Sequence, residues 1–175
     1  MLAWNDVKDE FAWEGSLRDI CVPETTIADW QAIWSLLRRL HVRYAVDDVA
    51  TTPPNDVRQI FAQPRECTHL LAIRVADAQL ICHFFDESEI ELDLDPRRIS
   101  DQGQLDALIS FMADLAIATG RVVLLTPENM HDSPFLCVPP STTVEYIPTG
   151  GFFREAAEQH AEAHRLAVAR RERSS

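Results

Sequence analysis

Six carboxylates stand within ten residues at 86–95 (DESEIELDLD), and no basic residue interrupts them. On an extended strand the side chains alternate between faces. Glu89, Glu91, Asp93 and Asp95 then share one face, about 7 Å apart along the chain, and Ile90, Leu92 and Leu94 share the other. A carboxylate row left in water is a docking face for a basic partner protein, which its charge would steer. A carboxylate pair doing acid–base or glycosidase work needs one member in an apolar pocket that raises its pKa, and a uniformly solvated row supplies none. An architectural reading competes: a half-buried strand must show something polar to water, and charge discourages edge pairing. The partner-binding reading rests on Glu89, Glu91, Asp93 and Asp95.

Histidine and cysteine are the other reactive types. Cys67 and His69, two apart on a strand, face one side, whereas the adjacent Cys82 and His83 face opposite sides, so the four cannot converge on a metal. His160 and His164 are four apart in a helical stretch, which sets two imidazoles side by side, but two ligands do not make a site. No CxxC pair occurs among Cys21, Cys67, Cys82 and Cys137; each lies in an apolar or strand-like stretch and reads as a buried reduced thiol. No metal and no cofactor is expected.

The chain lacks GxSxG, P-loop, GxGxxG and HExxH patterns, and five glycines leave little material for a phosphate-cradling loop. No catalytic residue is assigned; were the protein a small enzyme, His83, Glu128 and Asn129 would be the nominal candidates. Charge narrows the partners. Twenty-eight acidic residues against sixteen basic ones give a net charge of −12, and Lys8 is the single lysine. That field repels nucleic acid phosphates and anionic membranes and attracts basic proteins. No apolar run reaches the length of a membrane span, and the start (MLAWNDVKDEFAWEG) has no secretory pattern, so a cytoplasmic location is expected.

The elements that position these residues follow from periodicity. Residues 13–22 read as a strand, and Thr25 or Thr26 as the cap of a helix over 27–40 whose stripe is Ile27, Trp30, Ile33, Trp34, Leu37 and Leu40. HVRYAV (41–46) alternates as a strand, TTPPN breaks the chain, and a short helix fits 56–61. Residues 67–75 and 79–85 form a hairpin about Ala76-Asp77-Ala78, with pairing i + j = 155 placing Leu71 and Ile73 on the face of Phe84 and Cys82. A strand over 89–95 stops at Pro96. A helix over 101–119, ended by Gly120, precedes strands at 122–126, 135–138 and 142–147. Beyond Gly150-Gly151 an Ala-, Glu- and Arg-rich helix covers 152–173. The expectation is an α+β domain over 1–150 with a helical extension over 151–175. Its sheet is twisted and mainly antiparallel, of about six to eight strands, with two packed helices and a C-terminal helix.

Trp13 to Ile20 (WEGSLRDI), Asp29-Trp30, Cys82 to Glu91 and Leu125 to Asn129 (LTPEN) resemble a group of small bacterial proteins over roughly residues 4–148. The resemblance carries over no activity and no catalytic residue. In size, acidity and lack of motifs the chain is also similar to immunity proteins of bacterial toxin systems. The leading expectation is a non-enzymatic acidic binding module of the toxin-neutralising immunity type, whose partner is a basic protein such as a toxin domain. The alternatives are a small enzyme and an accessory protein that self-associates through the C-terminal helix.

Overall fold

The computed structural model describes residues 2–64, 66–141 and 143–173, and the side chains of this range up to residue 168. One antiparallel sheet of nine strands runs β3-β2-β4-β5-β6-β1-β7-β8-β9. Its strands are β1 (Arg18–Pro23), β2 (His41–Val46), β3 (Val49–Thr51), β4 (His69–Val75), β5 (Ala78–His83), β6 (Glu89–Leu94), β7 (Val123–Pro127), β8 (Leu136–Val138) and β9 (Glu145–Tyr146). Five helices accompany it: α1 (Trp4–Val7), α2 (Ile27–Leu40), α3 (Arg58–Phe61), α4 (Gln102–Thr119) and α5 (Phe152–Arg173). The class is α+β as expected, with one strand more than the six to eight expected and one helix, α1, beyond the two packed helices, the short helix over 56–61 and the C-terminal helix. The ninth strand is β3, three exposed residues. The additional helix α1 is a single turn of four residues, too short to show a period, whereas α3, also a single turn, is the short helix expected over 56–61.

The long helices form where the sequence places them. The Asp29 carboxylate accepts the Thr26 N–H at 2.8 Å and so satisfies an orphan donor at the start of α2. Asp101 does the same for the Gln104 N–H in α4, and Gly120, at φ +69°, closes α4 by donating to the Ala116 carbonyl. Trp30, Ile33, Trp34 and Leu37 of α2, with Leu105, Leu108, Met112 and Leu115 of α4, are buried on one sheet face. From the strands come Ile20, Val22, Leu71, Ile73, Leu80, Cys82, Ile90, Leu92, Leu94 and Leu125. Each large side chain there contributes roughly 1.5–3 kcal/mol.

Two local differences have physical causes. The first strand begins at Arg18, not Trp13, because the preceding carbonyls turn to a guanidinium instead of a neighbouring strand. Arg18 donates to the carbonyls of Glu10, Ala12, Ser16 and Leu17, and pairs through both terminal nitrogens with Glu14. In the β4–β5 hairpin, Leu71 faces Cys82 and Ile73 faces Leu80, a pairing of i + j = 153 rather than 155. Ala76 adopts φ +49°, which tightens the turn to two residues. A shift of two keeps every side chain on its expected face. Cys67 lies before β4, so it does not share a strand with His69.

The chain ends are stitched together by a second buried charge. Glu10 accepts the Tyr146 hydroxyl at 2.9 Å, the Thr149 N–H at 3.0 Å and the Thr149 hydroxyl at 2.5 Å. Phe153, in the first turn of α5, is buried in the same core and lies under Arg18, whose guanidinium carbon sits 3.8 Å from the ring centre. The division at Gly150–Gly151 thus leaves one core residue on the side of the extension.

Candidate functional site

The other sheet face carries the polar residues of the same strands. Cys21 on β1 lies opposite Glu91 on β6, which lies opposite His83 on β5; Asp19 lies opposite Asp93. Strand alternation puts all five on one side, together with Glu89. The loop after β7 folds back over them. Asn129, at φ +59°, donates its backbone N–H to Asp19 Oδ2 at 2.7 Å, and the His131 ring comes to rest between β1 and β6.

Three of the four carboxylates expected in a row therefore stay together, but half-buried rather than uniformly solvated. Glu89 meets His131 Nδ1 at 3.0 Å, Glu91 lies 3.9 Å from His131 Nε2, and Asp93 takes His83 Nε2 at 2.8 Å. Asp95 leaves the row. The strand ends at Leu94, and Asp95 caps the helical turn Pro96–Arg98, accepting the Arg97 N–H and pairing with its guanidinium. The Arg97 bonds hold the Asp95 carboxyl below its ordinary pKa.

Electrostatics separates the members. Asp19 is 2% exposed, and burial raises its pKa against the lowering effect of the Asn129 N–H; the Asp93 charge raises it further. Burial and the neighbouring Asp19 also raise Glu91. His83 is raised by its bond to Asp93, and its ring stacks on the exposed Phe85 ring at 4.8 Å between centroids. Burial pushes the Cys21 thiol far up, as it does Cys82, so neither is an activated nucleophile.

The nominal catalytic candidates do not form a relay. His83 is held by Asp93, Glu128 accepts the Leu17 N–H at 2.9 Å, and Asn129 acts through its backbone. Asp19, Cys21 and His131 are the members that sequence reasoning did not assign to the site. Alternation along the strand read over 13–22, which sets Asp19 on the face opposite Arg18, is the available signal for Asp19; nothing local flags His131, which reaches back 40 residues to Glu91.

A cavity of about 500 Å³ lies beside this face, lined among others by Phe61, Cys67, His69, His83 and Phe85. His69 is buried, and its Nδ1 meets the Tyr44 hydroxyl at 2.7 Å. Its Nε2 has no partner among the described residues. Burial lowers the His69 pKa and raises that of Tyr44 to about 12, so both are neutral near pH 7. Among the described residues no helix is long and apolar enough to cross a membrane. No protein-family model matches the chain, and no curated protein or solved structure matches it significantly.

Proposed function

We propose that the protein is a non-enzymatic binding module for a basic partner protein, of the toxin-neutralising immunity type, and that it binds through the polar face of its sheet. One observation carries this reading. Asp19, Glu89, Glu91 and Asp93 gather on one face, and the ion pairs they make among the described residues are with two histidines, not with Arg or Lys. A net charge of −12 adds a long-range field of the same sign. The buried thiols of Cys21 and Cys82 and a histidine already engaged by Asp93 favour binding over nucleophilic catalysis on this face. Phe85, 70% exposed at the margin of the face, supplies an apolar anchor of the kind that dominates interface energetics.

The test is capture of partners from native lysate, at low salt and at about 0.5 M salt, where charge is screened over a few ångströms. Wild type is compared with the Glu89→Gln, Glu91→Gln, Asp93→Asn variant. A basic protein retained by wild type and lost by the variant is then purified, and its association rate should fall at least about tenfold with the variant. An unchanged association rate overturns the assignment of this face.

A further inference from the structure

The arrangement about His131 has more order than a docking surface requires. Its Nδ1 lies 3.0 Å from Glu89 Oε1, so one carboxylate stands directly at that nitrogen. Its other nitrogen, Nε2, lies near two further carboxylates, Asp19 Oδ2 at 3.6 Å and Glu91 Oε2 at 3.9 Å. Both separations exceed a hydrogen bond. They approach the spacing of about 3.3–3.5 Å between ligands that share one ion in a tetrahedral site with bonds of about 2.0–2.2 Å. The three atoms lie mutually within 4.8 Å.

The surroundings match those of a metal ligand set. A carboxylate behind the distal imidazole nitrogen is the usual device that fixes a ligating histidine, and Glu89 stands there. Asp19 is oriented by the Asn129 N–H. Among the described residues the buried Asp19, beside Glu91 and Asp93, makes no ion pair with Arg or Lys, and a divalent ion would offset this concentration of carboxylates. Asp19 and Glu91 come from neighbouring central strands, so the carboxylates are held by the sheet, and only His131 comes from a loop. A second grouping, Cys21 with Glu89 and His131, shares the histidine but depends on a buried thiol.

We propose that Asp19, Glu91 and His131 form a binding site for one divalent first-row transition ion, with Glu89 as the residue that orients the imidazole. One nitrogen and two oxygens suit Zn²⁺, Fe²⁺ or Mn²⁺ rather than a thiolate-selected ion. Three protein ligands leave a fourth position for water or a partner's side chain. The site shares Asp19, Glu89 and Glu91 with the docking face, and its test on the isolated chain separates its failure from that of the docking reading.

The experiment is calorimetric titration of the EDTA-treated full chain with Zn²⁺ at pH 7, with Co²⁺ absorption as a second readout. One ion per chain is expected. His131→Ala should abolish binding, and Glu89→Gln should weaken it about 10- to 100-fold while keeping the stoichiometry. Cys21→Ser should leave affinity and the Co²⁺ spectrum unchanged. The double variant His160→Ala, His164→Ala removes the exposed pair on α5 and should also bind as wild type. Binding that survives His131→Ala in a folded protein overturns the proposal. So does a thiolate-to-cobalt charge-transfer band, or the absence of saturable binding below about 100 μM Zn²⁺.

Discussion

Arg18 and Asp19 are adjacent on β1, both almost wholly buried, and the fold treats their charges in opposite ways. Arg18 meets a carboxylate, four carbonyls and an aromatic ring, which together use every arm of the guanidinium. Asp19 accepts one backbone N–H and has an imidazole at 3.6 Å. One residue is an organising centre that curls the lead segment around itself. The other is a charge set aside. A buried charge that is fully satisfied reads as architecture; one left underpaired between strands that could have been apolar reads as function.

The largest effect should come from breaking the satisfied side. Arg18→Met leaves the Glu14 carboxylate and the carbonyls of Glu10, Ala12, Ser16 and Leu17 without their donor. A cost of about 3–5 kcal/mol is expected, the range for removing one partner of a buried pair. It is read as a fall in urea midpoint at unchanged slope. Arg18→Lys should recover only part of that loss, since an ammonium cannot reproduce the planar fork. A cost below about 1 kcal/mol would mean that the carbonyls find water, and that Arg18 and Asp19 are not so different after all.

The opposite sign is expected across the strand. Asp19→Asn keeps an oxygen for the Asn129 N–H and removes a charge that faces Asp93, Glu91 and Glu128. In metal-free protein at pH 7 stability should be unchanged or raised by about 1 kcal/mol, as when an imperfectly compensated buried charge is neutralised. Urea unfolding of the EDTA-treated pair measures it. A loss of more than about 1 kcal/mol would show that Asp19 is compensated as completely as Arg18.

The same contrast explains what could be read from the chain. The closed face was legible because its signal is local. Trp30, Ile33, Trp34 and Leu37 recur at helical spacing, Ile90, Leu92 and Leu94 alternate, and both patterns report burial without knowledge of the partner. The start of β1 was not legible, since the carbonyls of Ala12, Ser16 and Leu17 are claimed by a side chain, which no periodicity expresses. Nor was the loss of Asp95 from the acidic row. Asp before Pro serves equally as the last outward residue of a strand and as the cap of the next turn, and Arg97 decides for the cap. On the open face Glu89, Glu91 and Asp93 were visible as a period of two, but His131 belongs to a polar loop whose destination depends on how β7 lies beside β1.

A finer contrast within the closed side involves His69, whose ring is buried against Tyr44 and has one nitrogen unpartnered. Burial lowers its folded pKa below the ordinary value of 6.5, with the Asp47 charge acting weakly the other way. The folded state therefore binds less proton than the unfolded chain as pH falls through this range. The contribution of His69 to stability is fully present above pH 6.5 and is lost as pH falls through the lowered folded value. His69→Gln removes the titration, so wild-type stability minus variant stability should decline from pH 7.5 to pH 5 in matched urea series. The difference cancels the carboxylates common to both proteins. A difference that stays flat would mean that protonated His69 is accommodated where it sits, with its unpartnered nitrogen reaching the adjoining cavity. The closed side would then have its own underpaired site, and the division between architecture and function would no longer follow the two faces of the sheet.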